Sequence, residues 1–384
     1  MIDMKQLIAE ATEWRRNFHQ HPELGFVEHK TSKKVAELLQ EFGLEVHTDI
    51  AVTGVVGVLK NGDGPTIGLR ADMDALPMQE LGDSDYKSQH QGCMHGCGHD
   101  GHTAMLLGAA RYLSATKNFK GTVYFIFQPA EEMLGGGKKM IEDGLFKRFP
   151  MDAIYGLHNW PGLPAGHVAV NDGAMMASLD SFEITVKGVG CHAAMPHLGV
   201  DPIVAASELV LKLQTIVSRH VSPLESAVVS VTMFNSGEAM NVIPELASLK
   251  GTVRCLNREV RSQVEKLMTD YVASYNSLSD LEVKLNYEKG YPVTVNTPEN
   301  AAIVHEVAGN LLDEEEVHYN IPPSMASEDF ACMLEECPGA YFWLGVDEGE
   351  SVPLHNPHYD FNDKVIGGAI EFWCALVADQ LPVT

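Results

Sequence analysis

The sequence predicts an α/β protein in which a second, smaller domain is inserted into the main one. Helical and strand-like segments alternate along all 384 residues, as they do in α/β folds. The segment GTVYFIFQ at 121–128 is a nearly continuous apolar run, which is typical of a strand buried on both faces of a sheet. Residues 179–288 contain a succession of strands and helices of their own, which predicts a separate compact domain.

Length, composition and charge fit two packed domains and exclude several classes of partner. A chain of 384 residues with 45% apolar content is long enough for about two hydrophobic cores. The net charge of −25 opposes binding to phosphate backbones, so no nucleic-acid partner is expected. No apolar run has the length of a membrane span, so no membrane partner is expected either.

The N-terminus and the cysteines predict a cytoplasmic protein. Residues 1–18 form an amphipathic helical pattern with acidic residues in it, unlike the basic start and apolar centre of a signal peptide. The seven cysteines are odd in number and scattered, which is not the pattern of a disulfide framework. We therefore expect them to be buried thiols or metal ligands.

Helices and strands of the main domain can be predicted in order along the first half of the chain. The segment 33–42 carries apolar residues on one helical face and is followed by a glycine. Segments 52–59 and 65–69 predict two strands around an NGDG turn. The buried strand at 121–128 and a short strand at 153–157 follow.

Titratable residues follow three of these apolar segments. Asp72 comes after the second strand, Glu131 and Glu132 come after the buried strand, and His158 comes after the last one. In α/β proteins the chemistry lies in the crevice beyond the carboxyl ends of the strands. If the three strands are parallel neighbours, these side chains converge there.

The stretch GCMHGCGHDGHT at 92–103 adds further metal-ligand types. Cys97 and His99 are two residues apart, a spacing that points both side chains to one side of an extended chain. Thiolate, imidazole and carboxylate together suit Zn²⁺ or a similar transition metal. Cys93 remains open as a ligand, a redox partner or a spectator, and a polar loop without metal is the alternative for the whole stretch.

Other chemistries are excluded by their motifs. GVGCHA at 188–193 matches part of a dinucleotide-binding loop, but Pro196 interrupts the helix that such a loop must open. GGGKKM at 135–140 lacks the first glycine and the Ser or Thr of a phosphate-binding loop. Neither HExxH nor GxSxG occurs, which excludes the helical zinc-protease motif and the serine nucleophile elbow.

The inserted domain is predicted at residues 179–288. Its strands and helices follow one another as βαββαβ, which predicts a two-layer, ferredoxin-like domain. Residues 1–178 and 289–384 then form the main, discontinuous domain.

A series of motifs, in the same order from about residue 11 to 375, resembles a known family. The motifs are RxxFHQHPELGF at 15–26, GLRADMDALPM at 68–78, MHGCGHDGHTAMLLGAA at 94–110, FQPAEE at 127–132, GLHNWP at 156–161, GCHAAMPHLGVDP at 190–202, NVIPE at 241–245, GTVR at 251–254, SEDF at 327–330 and PLHNP at 353–357. They closely resemble the M20 metallopeptidases, and among these the amidohydrolase branch that includes hippurate hydrolase and N-acyl-amino-acid deacylases.

The resemblance implies a mixed-sheet, zinc-exopeptidase-like catalytic domain that binds two divalent ions per subunit. Zn²⁺ or Mn²⁺ is implied first, with Ni²⁺ or Co²⁺ as alternatives. The implied ligands are Cys97, whose thiolate would bridge the ions, together with His99, Glu132, His158 and His355. The remaining candidates of the 92–103 stretch, Cys93, His95 and His102, are then expected to have structural roles.

The resemblance also implies roles for residues that bind no metal. Glu131 is implied as general base and acid, and Asp72 as the carboxylate that orients the metal centre. His192 resembles the residue that reaches a neighbouring subunit's site to stabilise the oxyanion. Asn241 and Arg254 resemble binders of a substrate carboxylate, for which the guanidinium fork is suited.

The predicted function is metal-dependent hydrolysis of the amide bond of N-acyl amino acids. Amide hydrolysis at neutral pH needs a strong nucleophile, which a divalent ion supplies by lowering the pKa of bound water toward 7. Glu131 would move the proton, which Glu132 cannot do while it is coordinated. Arg70 stands where the aminopeptidase branches carry a metal-binding histidine, which favours the amidohydrolase branch. The alternatives are a dipeptidase or aminopeptidase of the same family, and a catalytically silent metal-binding or interaction protein.

The resemblance assigns the inserted domain the role of lid and dimerisation domain. Hinges near residues 178 and 289 would let it close over a small-molecule substrate, and a homodimer or homotetramer is expected. Met133 and Leu134 separate the paired glutamates from Gly135, whereas many relatives continue into glycines almost at once. We therefore expect the acyl pocket to be altered.

Overall fold

The computed structural model describes residues 2–132, 134–278, 280–349 and 352–383. Within these ranges the helices are α1 (Met4–Gln20), α2 (His29–Glu41), α3 (His99–Thr116), α4 (Gly136–Glu142), α5 (Leu145–Arg148), α6 (Pro202–Thr215), α7 (Arg258–Leu278), α8 (Pro298–Leu311), α9 (Phe330–Glu336) and α10 (Ile366–Gln380). The strands are β1 (Glu45–Ile50), β2 (Gly54–Asn61), β3 (Thr66–Asp72), β4 (Gly121–Gln128), β5 (Ala153–Pro164), β6 (Val168–Val170), β7 (Ala174–Met176), β8 (Asp180–Lys187), β9 (Cys191–His192), β10 (Ala227–Ser236), β11 (Val242–Ile243), β12 (Leu246–Cys255), β13 (Glu282–Lys289), β14 (Thr294–Val295), β15 (Val317–Tyr319) and β16 (Gly339–Asp347).

The chain folds into two compact units. The first comprises the chain up to Met175, the segment Val295–Pro322 and the chain from Asp329 onward, and the second comprises Met176–Thr294 and Pro323–Glu328. The predicted division places residues 323–328 in the main domain instead. Backbone hydrogen bonds explain the difference, because Ala177 N donates to the carbonyl oxygens of Ser324 and Ala326 at 3.1 and 2.8 Å.

The first unit is built on an eight-stranded mixed sheet in the order β1-β2-β4-β3-β5-β16-β6-β15. Strands β4, β3 and β5 are adjacent and parallel, with Leu69 of β3 paired to both Phe125 and Tyr155. The carboxyl ends of these strands therefore lie at one edge of the sheet, as the sequence predicts. Strands β3 and β5 extend beyond their apolar segments, so Asp72 and His158 lie within the strands and not after them.

Helix α3 connects the core of this unit to the edge at which the strands end. It packs against α1, α10 and β3, and most of its residues are buried, including His99 and His102 at its start. Gly101 allows a close approach here, because a Cβ atom at this position would lie 2.4 Å from the ring of Phe361. The start of α3 therefore places the imidazoles of His99 and His102 in the interior of this unit.

The second unit contains a four-stranded antiparallel sheet in the order β10-β12-β8-β13. Helices α6 and α7 supply Leu209 and Val264 to a core that also contains Leu249 of β12. The succession βαββαβ and this strand order are those of a ferredoxin-like layer pair. In the part of the chain that the structure describes, no helix is both long and apolar enough to cross a membrane.

Candidate metal centre

The candidate metal centre lies in the first unit, at the edge where β3, β4 and β5 end. Asp72 ends β3, His158 lies in β5, and Glu131 and Glu132 follow β4. Gly98 precedes α3 with a φ of +90°, a conformation that favours glycine. A Cβ atom on this glycine would also lie 2.2 Å from Asn159 Oδ1.

The five predicted ligands come together in space. Cys97 Sγ lies 3.4 Å from His158 Nε2, and His355 Nε2 lies 3.2 Å from Glu132 Oε1. Ligand atoms of Cys97, His99 and His158 all lie within 4.8 Å of one another, and those of Cys97, Glu132 and His355 form a second such group. Cys97 belongs to both groups, as the predicted bridging ligand should.

Two imidazoles are oriented as metal-ligating histidines are. His99 Nδ1 donates to the carbonyl oxygen of Asp74 at 2.9 Å, and His158 Nδ1 donates to that of Asn159 at 2.7 Å. With the proton on Nδ1, each Nε2 keeps a lone pair for a metal. His99 Nε2 is buried and has no hydrogen-bond partner within the described ranges. This orphaned nitrogen beside a thiol and carboxylates fits a bound cation.

His102 is also buried in this cluster, but its nitrogens are already engaged. His102 Nδ1 lies 2.6 Å from Asp72 Oδ1, and Nε2 lies 2.5 Å from Asn159 Oδ1. Because both ring nitrogens already have polar partners within the protein, we interpret His102 as a support for the Asp72 carboxylate, although it belongs to a ligand group with Asp72 and His99.

The cluster carries an excess of negative charge that a cation would neutralise. Burial opposes protonation of His99, yet Asp72, Asp74 and Glu132 raise its pKa to about 10. Burial also raises the pKa of Cys97 well above its usual value, and the nearby carboxylates add to the effect. A divalent ion would reverse both shifts, because it favours the thiolate and the neutral imidazole as ligands.

Arg70 keeps Asp72 ionised. Arg70 Nη1 donates to Asp72 Oδ2 at 2.7 Å. Burial alone would raise the pKa of Asp72, but His99 and Arg70 hold it well below its usual range. Arg70 also donates to Gln128 Oε1 at 2.9 Å and to Asp329 Oδ1 at 3.1 Å, so its guanidinium group has a fixed orientation.

The paired glutamates are held at their backbone by Asp74. Its two carboxylate oxygens accept from Glu131 N at 3.0 Å and from Glu132 N at 2.9 Å. Glu131 Oε1 also accepts from Asp329 N at 3.3 Å, whereas Glu132 Oε1 faces His355. The adjacent carboxylates therefore have different surroundings.

Comparison with known proteins places this site in a family. The sequence profile of Peptidase family M20/M25/M40 matches residues 68–379. The chain belongs to this family. Hippurate hydrolase of Campylobacter jejuni subsp. jejuni is 46% identical to it, over 99% of this chain and 98% of the relative. N-acetyl-L-cysteine deacetylase of Bacillus subtilis is 39% identical, over 94% of this chain and 85% of the relative.

Solved structures agree with this assignment. A putative aminohydrolase from methicillin-resistant Staphylococcus aureus has a TM-score of 0.93 at 34% identity, and the match covers 98% of each chain. A dinuclear metal-binding peptidase of the M20 family from Bacillus subtilis has a TM-score of 0.84 at 34% identity, covering 99% of this chain and 100% of its own. The predicted family and its amidohydrolase branch are therefore confirmed, as is the predicted α/β class with a large mixed sheet.

The three predicted substrate-binding residues lie in the second unit. His192 of β9 pairs with Val242 of β11, and Ala193 N donates to the carbonyl oxygen of Asn241 at 3.0 Å. His192 and Asn241 are therefore neighbours, and both are exposed. Arg254 lies on another element, β12, where it is half-buried and Nη1 donates to the carbonyl oxygen of Val253 at 3.2 Å.

The other candidates of the 92–103 stretch are buried side chains. Burial raises the pKa of Cys93 to about 11 and lowers that of His95 to about 3. Cys93 belongs to none of the metal-ligand groups formed by the described residues. Met133, which we expect to alter the acyl pocket, lies outside the described residues, and Leu134 beside it is exposed.

Sequence reasoning missed the residues that hold the ligands in place. Asp74 supports the paired glutamates, and Asn159 Nδ2 donates to Tyr359 Oη at 2.6 Å while its Oδ1 contacts His102. In the first turn of α3, Asp100 Oδ2 accepts a hydrogen bond from Nε of the buried Arg15 at 2.9 Å. Asp74 and Asn159 lie in the motifs GLRADMDALPM and GLHNWP that carry the family resemblance, but neither the motifs nor the strand ends assigned them a role.

Proposed function

We propose that the protein hydrolyses the amide bond of N-acyl amino acids to a carboxylic acid and a free amino acid, using two divalent metal ions. The observation that carries this proposal is the buried cluster in which Cys97 joins two groups of ligands beside the carboxylate of Glu131. The relatives support the choice of substrate class, because hippurate and N-acetyl-L-cysteine are both N-acyl amino acids.

The residues that would hold the two ions are Cys97, His99, Glu132, His158 and His355. The orphaned Nε2 of His99 and the surplus of carboxylates support this assignment. Ions held there, Zn²⁺ or Mn²⁺ foremost, would lower the pKa of a water molecule toward neutrality and would polarise an amide carbonyl.

Glu131 is the proposed general base and acid. It takes the proton of the attacking water and delivers it to the leaving nitrogen as the C–N bond breaks, so that the amino acid departs as a neutral amine. Its backbone contact with Asp74 and the hydrogen bond from Asp329 N to Oε1 hold the carboxylate in place. Asp72 is the proposed carboxylate that orients the metal centre, since its Oδ1 contacts His102 and its Oδ2 lies 3.7 Å from His99 Nε2.

The substrate carboxylate is assigned to Asn241 and Arg254, and the oxyanion to His192. The exposure of His192 and Asn241 and the planar donor fork of Arg254 support these roles. Residues 179–288 are proposed to be the lid and dimerisation domain of a homodimer or homotetramer. A cytoplasmic location is proposed because all seven cysteines are free thiols.

A substrate panel tests the proposal. Acetyl, benzoyl, succinyl and longer acyl amino acids are offered to protein of measured metal content, with the matching acyl amides that lack the α-carboxylate as controls. We expect turnover of acyl amino acids and little turnover of the controls. Preferential cleavage of peptides with a free amino group would favour the dipeptidase alternative. No turnover of any compound by metal-loaded protein would favour a catalytically silent metal-binding protein.

A further inference from the structure

The turn that presents the paired glutamates has three consecutive backbone amides held by carboxylates. Glu28 Oε1 accepts from Ala130 N at 2.8 Å, and Asp74 accepts from the amides of Glu131 and Glu132. Ala130 has a φ of +55°, a left-handed conformation that is unfavourable for a residue with a Cβ atom. The conformation therefore has to be imposed by the surroundings of the turn.

The buried side chain of Glu28 does not cap the helix that it precedes. It directly precedes α2 and takes the N-cap position, yet its side chain makes no capping hydrogen bond. Glu23 performs that task instead, because its Oε2 accepts from Lys30 N and Thr31 N, both at 2.9 Å. The Glu28 side chain points away from its own helix and toward a turn 102 residues later in the chain.

Both carboxylate oxygens of Glu28 are used inside the protein. Thr53 Oγ1 donates to Oε2 at 2.6 Å, and Ala130 N donates to Oε1. The residue is fully buried, and burial raises its pKa to about 7 although hydrogen bonds from Thr53, from its own backbone and from Ala130 oppose the rise. Burying a carboxyl group is unfavourable without compensation, and here one of the compensating backbone contacts comes from the turn that presents the paired glutamates.

We propose that Glu28 is a positioning residue that holds Ala130 in its left-handed conformation. It thereby orients Glu131 for proton transfer and Glu132 for metal ligation. The assignment of those tasks rests on the proposed function, whereas the geometry of the turn does not. Glu28 acts through the backbone, so its loss should affect proton transfer by Glu131 and ligation by Glu132 together.

Steady-state kinetics on metal-loaded protein give the first test, with Glu28→Ala, Glu28→Gln and Glu23→Gln compared. Residues that orient metal ligands typically contribute about 10- to 100-fold, and we expect Glu28→Ala to lower kcat by about that factor with KM unchanged. Glu28→Gln should recover most of the loss, because its amide oxygen still accepts from Ala130 N. Glu23→Gln is the control, because the Glu23 carboxylate also accepts hydrogen bonds from backbone amides. Its kcat should equal that of the wild type. Wild-type kcat in Glu28→Ala, or no recovery in Glu28→Gln, would overturn the proposal.

Cobalt binding gives a second test that needs no substrate. Co²⁺ alone is titrated into metal-free protein and followed by its visible absorption. We expect Glu28→Ala to weaken Co²⁺ binding by at least about 10-fold, and Glu28→Gln and Glu23→Gln to bind as the wild type does. Equal affinity in Glu28→Ala and wild type would overturn the positioning role. This result is independent of the proposed function, which fails separately if wild-type protein cleaves no acyl amino acid.

A shortened side chain keeps the proposal testable if Glu28→Ala does not fold. Glu28→Asp retains the carboxylate but withdraws it from Ala130 N by one methylene group. We expect it to fold and to lose both kcat and Co²⁺ affinity, whereas wild-type values for both would contradict the proposal.

Discussion

The candidate residues of the two units differ in how firmly the protein holds them. In the first unit Asp72 and His99 are fully buried, and their polar contacts come from neighbouring side chains and backbone. In the second unit His192 and Asn241 are exposed and Arg254 is half-buried. The buried part of the candidate metal centre is thus organised in advance, as metal and catalytic sites require, whereas the residues proposed to bind substrate keep their side chains accessible.

Of the changes considered, removal of metal should produce the largest difference in behaviour between the two units. Treatment with a chelator is expected to abolish hydrolysis, and added Zn²⁺ or Mn²⁺ should restore it, because the buried carboxylates repel one another without a cation. Amide hydrogen exchange on the same samples should increase in β3, β5 and the start of α3 and stay unchanged in β8 and β12. An equal increase in both units would show that the cluster is not an independent feature of the first.

Asp72→Asn should have the next largest effect, because it removes the charge that Arg70 and His102 orient. We expect metal affinity and kcat to fall by about 10- to 100-fold. Asp152→Asn is a matched control, since Asp152 Oδ2 accepts from Thr66 N at 2.8 Å at the opposite end of the same strand. Competition with a chromophoric chelator measures the affinity, and equal values for the two variants would argue against a role for Asp72.

Arg254→Lys should have a smaller effect that is confined to substrate binding. Loss of the guanidinium fork is expected to raise KM about tenfold for substrates with a free carboxylate, the size of one charge-assisted hydrogen bond. Metal content should not change, and Arg219→Lys, at an exposed position of the same unit, should have no effect. A loss of metal in Arg254→Lys would place this residue with the cluster and remove the contrast between the units.

His19 should influence stability alone and so have the smallest effect on turnover. Burial lowers the pKa of His19, but hydrogen bonds to Asp100 and Glu80 raise it from 6.5 to about 9. Its contribution to the free energy of unfolding, about 3 kcal/mol at most, is present in full below pH 6.5 and is lost as the pH rises toward 9. Chemical denaturation across this range should show a flatter pH dependence in His19→Gln than in wild type. Exposed His29→Gln serves as the control, and an unchanged slope in His19→Gln would contradict the assignment.

The strand pattern of the first unit could be predicted because burial leaves a clear trace in the sequence. The run at 121–128 coincides with β4, and the prediction that three strand ends converge is correct. The ends of β3 and β5 could not be predicted from apolarity. Asp72 and His158 lie within the strands because their backbones pair with Gln128 and Trp343, and their side-chain polar atoms have partners in Arg70 and Asn159.

The roles of several residues in the candidate site depend on contacts between segments that are distant in the sequence, and these contacts could not be predicted from the sequence. Nothing near Glu28 indicates that its carboxylate reaches Ala130 and not its own helix. His99 and His102 lie one turn apart on α3. Nε2 of His99, the predicted ligand, has no hydrogen-bond partner among the described residues, whereas Nε2 of His102, the supporting residue, contacts Asn159 Oδ1. His355 is half-exposed in a loop, and only the family resemblance brought it into the ligand set.

The central claim is that the adjacent carboxylates of Glu131 and Glu132 divide proton transfer and metal ligation between them. The most direct test is to measure metal content and turnover together in Glu131→Ala and Glu132→Ala. We expect Glu131→Ala to retain two ions per chain while kcat falls by about 10²- to 10⁴-fold, and Glu132→Ala to lose metal as well as turnover. Full activity in Glu131→Ala, or the same loss of metal in both variants, would contradict the claim.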